Sequence, residues 1–178
     1  MMLLWTTSER WASRVIRWAS YSEFSHFAVS FDEDENGAGI VFHSGPCGTE
    51  LVYMRDFLKT NRVVHALELL DDLPLEREEK IYKAILATEA GRDYDYAALA
   101  WWAWRALLRR TVGTPIPPVN AWQSNARRLC TGIAPAVIAA LGLETKQKID
   151  FEMVPLDTLY FVFWHTNQFV RPAKLPRI

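Results

Sequence analysis

"SHFAVSFDEDENGAGIVFHSG", residues 25–45, is the stretch that decides the fold. Its two ends, 25–31 and 40–45, are rich in aromatic and β-branched side chains, and each predicts a β-strand. The acidic segment between them contains Asn-Gly, a frequent hairpin turn, so the two strands are expected to pair antiparallel. His26 and His43 then lie at the same open end of the hairpin, close enough for one imidazole to orient the other.

Further elements are predicted on both sides of the hairpin. Residues 8–20 follow a helical period, with Trp11, Val15 and Trp18 on one face. The remaining predictions are strands over 49–54 and 62–70, the latter with a helix as the alternative, and helices over 55–61, 74–91, 95–110 and the 130s, with 155–165 fitting either type. Strands followed by helices indicate an α+β fold, in which an antiparallel sheet packs against several helices in a single domain spanning 1–178.

The composition limits the function classes and the expected location. Half of the 178 residues are apolar, and 20 basic residues nearly balance 21 acidic ones, for a net charge of -1. No nucleic-acid partner is expected, because such binding rests largely on positive charge. The N-terminus lacks the basic region of a secretory signal, and the longest apolar run, 96–108, is interrupted by Arg105 and too short to span a bilayer. We therefore expect a cytoplasmic protein, with a phage-encoded protein or export by another route as alternatives.

Cys130 stands where a basic segment meets an apolar helical pattern, in RRLCTGIAPAVIAALGL (127–143). A helix N-terminus and positive neighbours such as Arg127 and Arg128 lower the pKa of a thiol and favour the nucleophilic thiolate. Pro135 belongs in a first turn, so the regular helix begins either a few residues after the cysteine or with a loose turn. The alternative role is a small buried side chain at the start of a core helix. The segment by itself leaves both interpretations open.

A thiol nucleophile needs a general base and a group that orients that base. His26 is the candidate base and His43 the candidate orienting residue, because the hairpin places them together. Glu50, at the start of the next strand, is the alternative orienting residue, since a carboxylate can also hold an imidazole. Cys47 lies in the turn GPCG and is the weaker candidate for a nucleophile.

No metal and no cofactor is expected. The chain has no CxxC or HExxH spacing, and it has no glycine-rich phosphate loop of the P-loop or dinucleotide type. The acidic run 32–35 has the composition of a calcium loop without its spacing.

The tryptophan-rich helix 95–110 has two interpretations. Trp101, Trp102 and Trp104 cannot all face one side of a helix, so some are exposed or covered by another element. Packing against the sheet is the expected role, and contact with a membrane or partner is the alternative.

The order of five short segments resembles a known family. SHFAV is followed by IVFHSG, LVYMRDFL, GRDYDYAAL and finally LCTGIAPAV. This order, over roughly residues 2–142, resembles the circularly permuted papain-like group of the NlpC/P60 superfamily, which includes the YiiX-like amidases and the lecithin–retinol acyltransferase relatives. In that group the histidine precedes the cysteine, and the resemblance implies a permuted papain-like fold.

The resemblance implies a role for each candidate residue. Cys130 matches the nucleophile, His26 the general base and His43 the residue that orients it. The implied activity is a cysteine hydrolase that cleaves an amide bond in a peptide, a peptidoglycan fragment or a lipid-linked molecule through a thioacyl-enzyme. A lipid-directed acyltransferase or thioesterase and a non-catalytic interaction module that retains the fold are the alternatives. The chain departs from the group at Gly132, where members often carry glutamate two residues after the cysteine.

Overall fold

A six-stranded antiparallel sheet forms the centre of the molecule, and helices cover both of its faces. The computed structural model describes residues 1–31, 39–69, 75–115, 121–122, 126–142, 156–165 and 169–172. The strands are β1 (Met2–Thr7), β2 (His26–Phe31), β3 (Ile40–Gly45), β4 (Gly48–Tyr53), β5 (Arg62–Leu69), β6 (Asp93–Tyr94), β7 (Arg127–Arg128) and β8 (Phe169–Pro172). The helices are α1 (Trp11–Ser20), α2 (Met54–Leu58), α3 (Leu75–Glu89), α4 (Tyr96–Val112), the 3-10 helix Cys130–Ile133, α5 (Ala134–Leu141) and α6 (Leu156–Trp164). The predicted α+β class is confirmed.

The sheet has the strand order β4-β3-β2-β1-β5-β8, and every neighbouring pair is antiparallel. The predicted hairpin is its β2–β3 pair, in which Ala28 lies opposite His43. Residues 32–38 of the predicted turn lie outside the described residues. The strands and helices predicted after the hairpin are present to within a few residues, and the segment predicted as either type contains the helix Leu156–Trp164.

The central strand β1 was not predicted from the sequence. It pairs with β2 on one side and with β5 on the other, and all of its residues from Leu3 to Thr7 are buried. A strand that is covered on both faces shows a short continuous apolar run and no alternation of polar and apolar residues. The segment LLW therefore carries no periodic signal of a strand.

The two faces of the sheet bury different side chains. Successive residues of a strand point to opposite faces, so Leu3 and Trp5 join the larger apolar cluster while Leu4 joins the smaller one. The larger cluster is completed by α3, α5 and α6, and the smaller one by Phe57 of α2. A side chain at the end of the sheet therefore lies beside one apolar cluster or the other, according to the face from which it projects.

The helix ends follow from local chemistry. Asp95 caps α4 by accepting a 2.9 Å hydrogen bond from the main-chain N–H of Ala98. Pro135 lies in the first turn of α5, and the regular helix begins at Ala134, a few residues after Cys130. Gly142 ends α5 in the left-handed conformation, at φ 69°. Of the two predicted alternatives, the later start of the helix is confirmed.

The predicted apolar face of α1 points to solvent. Trp11 is 75% exposed and Trp18 is 40% exposed, whereas the buried residues of α1 are Ser13 and Ala19. The helical period was predicted correctly, but the larger side chains lie on the outer face.

Candidate active site

His26 and His43 lie side by side at the end of the β2–β3 pair. Because Ala28 is opposite His43 and His26 is two residues from Ala28, both imidazoles project from the same face of the sheet. The ring centroids are 5.2 Å apart with the planes at 88°. Phe57 contacts both rings, with centroid distances of 6.1 Å to His26 and 5.1 Å to His43. The hairpin thus brings the two predicted histidines together.

Glu50 continues this series on β4. It is the strand partner of His43, and its Oε1 lies 3.7 Å from the His43 Nε2. Gly45 leaves room for the His43 ring, because a Cβ at position 45 would lie 2.8 Å from the ring carbon Cε1. His43 and Glu50, the two alternatives for the orienting role, are therefore consecutive members of one series that begins at His26.

Burial keeps both imidazoles neutral. Desolvation and, second, the neighbouring His43 lower the pKa of His26 to about 3. Desolvation lowers the pKa of His43 to about 4. The Glu50 carboxylate does not restore the charge on His43, because it is 43% exposed and 3.7 Å away. Nε2 of His26 and Nδ1 of His43 are buried and have no hydrogen-bond partner among the described residues.

A cavity of about 360 Å³ with a mixed polar and apolar lining contains this series, and we call it the polar cavity for its histidine, serine and glutamate side chains. Ser13 and Ser25 line it below His26 and are joined by a 2.5 Å hydrogen bond between their hydroxyl oxygens. Exposed residues such as Arg10 and Cys47 lie on its rim, so the cavity reaches the surface. The cavity thus opens beside the two imidazoles, whose unpartnered nitrogens are themselves buried.

Cys130 lies in the larger apolar cluster, beyond the end of β2. It begins the 3-10 helix and is 6% exposed. Main-chain N–H groups of Phe27, Thr131 and Cys130 itself interact with the sulfur in the sense that stabilises a thiolate. Phe27 directly follows His26, so the sulfur lies against the same strand that carries the candidate base.

The pKa of Cys130 differs from the sequence expectation. The helix N-terminus and the nearby arginines were expected to lower it, but burial raises the pKa of the thiol to about 11. The main-chain N–H groups offset only part of the desolvation. Arg127 is exposed, and the causes of the pKa shift of the thiol are burial and the main-chain N–H groups. The resting group is a neutral thiol.

The Cys130 sulfur and the His26 imidazole belong to different cavities, and we call the side chains that line both cavities the partition. Cys130 lines an apolar cavity of about 60 Å³, whereas His26 and His43 line the larger polar one. Three side chains line both cavities: Ile16 of α1, Tyr94 of β6 and Leu99 of α4. No hydrogen bond joins Cys130 to His26, and neither group contributes to the pKa of the other. The structure thus brings His26, His43 and Glu50 together and sets Cys130 next to them across the partition.

Tyr94 is a candidate site residue that the site search from sequence did not select. Burial raises the pKa of its phenol, and Cys130, Tyr96 and Asp95 raise it further. The phenol therefore stays protonated, and Tyr94 lines the same cavity as Cys130. The sequence pattern that could have indicated this residue is GRDYDYAAL, in which Tyr94 lies two residues before Tyr96, the first residue of α4.

The second cysteine, Cys47, lies on the rim of the cavity that contains the histidines. Cys47 is exposed in the turn between β3 and β4 and forms no disulfide. Among the described residues, no three histidine, cysteine, aspartate or glutamate side chains are grouped so that they could hold a metal ion. Within the same residues, no helix is both long and apolar enough to cross a membrane.

Comparisons with known proteins show a partial structural likeness. No family model matches the chain, and no curated protein matches it. Among solved structures, the chain is similar to the metalloprotein YiiX from Escherichia coli O157:H7, with 14% identity and a TM-score of 0.44. The match covers 64% of this chain and 66% of YiiX, just under two thirds of that protein. By its own fold and site, the chain is an α+β protein with a buried cysteine and a histidine pair at one end of an antiparallel sheet.

Proposed function

We propose that the protein is a cysteine hydrolase of the permuted papain-like type, which cleaves an amide bond through a thioacyl-enzyme. Cys130 is the nucleophile, His26 the general base, and His43 with Glu50 orients the base. The proposed substrates are a peptide, a peptidoglycan fragment or a lipid-linked amide, and the proposed location is the cytoplasm.

One observation carries the proposal. The buried, unpartnered Nε2 of His26 belongs to the residue next to Phe27, whose N–H interacts with the Cys130 sulfur. A buried nitrogen without a partner is costly, and such groups are concentrated at sites that bind or transfer protons. The proposal is supported by the position of His43, whose ring centroid lies 5.2 Å from that of His26, and of Glu50, which lies 3.7 Å from His43.

The proposed reaction starts from two neutral groups. Rotation of the His26 and Cys130 side chains toward each other brings the thiol proton within reach of Nε2. The proton moves to His26 as the sulfur attacks the carbonyl carbon, and main-chain N–H groups at the start of the 3-10 helix stabilise the oxyanion. The C–N bond then breaks as His26 returns the proton to the leaving amine. Water, deprotonated by His26, attacks the thioester, which releases the acid and restores the thiol.

The two cavities assign the two halves of the substrate. The apolar cavity beside Cys130 has about 60 Å³ and suits a short aliphatic group. The polar cavity has about 360 Å³ and suits a larger polar leaving group. These volumes favour an amidase over an acyltransferase or thioesterase that binds a complete fatty-acyl chain at the sulfur.

A non-catalytic interaction module is the second candidate function. It is favoured by the raised pKa of Cys130 and by the absence of a hydrogen bond between Cys130 and His26. In that case the thiol is a core side chain, and the polar cavity binds a ligand without chemistry.

Trapping of the acyl-enzyme tests the proposal. The full chain is incubated with N-acyl peptides, muropeptides and lipid amides, quenched in acid, and examined by mass spectrometry of its peptides. The proposal expects an acyl adduct on the peptide that contains Cys130, absent in Cys130→Ala and retained in Cys47→Ala. Ligand binding without an adduct in the wild-type chain and in slow-deacylating conditions supports the non-catalytic module instead.

A further inference from the structure

The outer surface of α1 and α4 concentrates the exposed apolar side chains. Among the described residues, eleven large apolar side chains are exposed, and seven of them lie on these helices or on the residue that ends α1. The seven are Trp11, Trp18, Tyr21, Tyr96, Trp104, Leu107 and Val112. Trp and Tyr side chains placed at a surface in this way are typical of an interface between water and an apolar phase.

The exposed residues of α4 follow a helical period. Tyr96, Ala100, Trp104, Leu107 and Thr111 are all exposed and succeed one another at spacings of three or four residues. The opposite side of the helix buries Ala98, Trp101 and Ala106. The helix therefore presents a continuous, largely apolar stripe away from the core, in addition to its packed side.

Arginines accompany these aromatic rings. The sequences of α1 and α4 contain five arginines and no acidic residue, although the whole chain has a net charge of -1. The Arg110 guanidinium lies 4.1 Å from the ring centroid of Trp18 and 4.2 Å from that of Tyr21, and it donates a hydrogen bond to the Trp18 carbonyl. Arg109 lies 5.9 Å from the same Tyr21 ring. One of the five, Arg14, is paired with Glu9 at 3.3 Å.

We propose that this aromatic–arginine face, made by Trp11, Trp18, Tyr21, Trp104, Leu107, Arg109 and Arg110, docks on the surface of a bilayer that contains anionic lipid. Aromatic rings insert at the level of the headgroups, and guanidinium groups interact with anionic headgroups. The charge selects this occupant, because a second copy of the same face would oppose arginine to arginine. The tryptophan-rich helix was expected to pack against the sheet, with contact to a membrane or partner as the alternative. In α4 one side is buried, and the opposite side is exposed and open to the proposed contact with lipid.

Docking would bring the site close to the lipid. The helices that carry the face also form a wall of the apolar cavity, through Ile16 and Ala19 of α1 and Leu99 and Trp102 of α4. Tyr96, at the start of the α4 stripe, donates a 2.9 Å hydrogen bond to the carbonyl of Pro46 on the rim of the polar cavity. Association with lipid stands on the surface alone and does not require that Cys130 is catalytic.

Vesicle sedimentation of the full chain tests the docking. Vesicles of phosphatidylcholine are compared with vesicles in which phosphatidylglycerol replaces part of it, at low and at raised salt. We expect binding to the anionic vesicles that falls with salt. Arg109→Glu and Trp104→Ser, both at exposed positions, should each lower the partition coefficient roughly tenfold or more.

The matched controls come from the other cation–π pair at the surface. Arg55 lies 5.2 Å from the Tyr53 ring centroid, and both residues are exposed on β4 and α2, outside the aromatic–arginine face. Arg55→Glu and Tyr53→Ser should leave binding unchanged. Cys130→Ala should also bind normally, which separates this proposal from the proposed hydrolase.

Three results would overturn the docking. The first is equal binding to neutral and anionic vesicles, and the second is an equal loss in the Arg55→Glu control. The third is a dimer that Trp104→Ser dissociates, which would assign the face to a second copy of the chain. If Trp104→Ser lowers the melting temperature, Leu107→Ser, at a residue 40% exposed, replaces it in the series.

Discussion

The two sides of the partition differ in almost every physical respect. The sulfur side is apolar, with a cavity of about 60 Å³, whereas the imidazole side is polar, with about 360 Å³. The pKa of the thiol is raised to about 11, and that of His43 is lowered to about 4. Both shifts have the same cause, desolvation, which always favours the neutral form. The comparison teaches that this site holds its groups uncharged and not as a preformed thiolate–imidazolium pair.

Removal of the candidate base should have the largest effect on the proposed chemistry. Loss of a general base costs about 100-fold to 10,000-fold in rate, so His26→Ala should slow acylation of Cys130 by ~1,000-fold. His65→Ala is the control, because that ring is exposed and lies 3.4 Å from Glu23. The rate is measured from the growth of the acyl adduct. Equal acylation rates for the two variants would show that His26 is not the general base.

The histidine pair should also make the fold sensitive to acid. The folded-state pKa values of His26 and His43 lie below the unfolded value of 6.5, so the unfolded state binds more protons as pH falls. The contribution to stability is complete above pH 6.5 and is lost as pH falls toward the folded values. Between pH 7 and pH 5 each histidine should reduce the free energy of unfolding by about 2 kcal/mol.

Denaturant titrations of His43→Gln at the two pH values measure this effect. The variant should lose part of the pH dependence, because glutamine does not titrate. His65→Gln, at an exposed position, should retain the wild-type difference. An unchanged pH dependence in His43→Gln would mean that the imidazole is solvated.

Substitution of Tyr94, which lines both cavities, tests the role of the partition in the proposed reaction. The neutral Tyr94 phenol lines the same cavity as Cys130, and removal of one hydrogen bond to a reacting group costs roughly 1.5 kcal/mol, or about tenfold. Tyr94→Phe should therefore slow acylation of Cys130 about tenfold without loss of stability. Tyr96→Phe, which removes the hydrogen bond to Pro46, is the matched control. A variant with wild-type rate would leave Tyr94 as a wall residue.

Glu50 should have the smallest effect. It is 43% exposed and 3.7 Å from His43, so its charge is screened by solvent. Glu50→Gln should lower the acylation rate by only about threefold, because the carboxylate acts on a neutral imidazole across 3.7 Å with solvent beside it. A loss as large as that of His26→Ala would transfer the orienting role from His43 to Glu50.

The sequence predicted those parts of the molecule that depend on local pattern. The β2–β3 hairpin, the neighbouring histidines and the helix α4 all follow from residues close together in the chain. Strand β1 was missed because it is buried on both faces and shows no alternation. The rise in the pKa of Cys130 was missed because desolvation depends on distant residues that pack over the sulfur. The outward direction of Trp11 likewise depends on where α1 packs.

The central place of β1 has a consequence for the order in which the site can form. The side chains of the imidazole side, His26, His43, Glu50 and Phe57, all belong to the first third of the chain, and strands β1 to β5 pair within residues 2–69. The sulfur side needs Tyr94, Cys130 and Leu156 as well. Contacts between residues that are close in sequence form faster, because less chain entropy is lost in closing them. The imidazole wall can therefore assemble while the segment with the cysteine is still unstructured, and the thiol is enclosed last, against a surface that is already built.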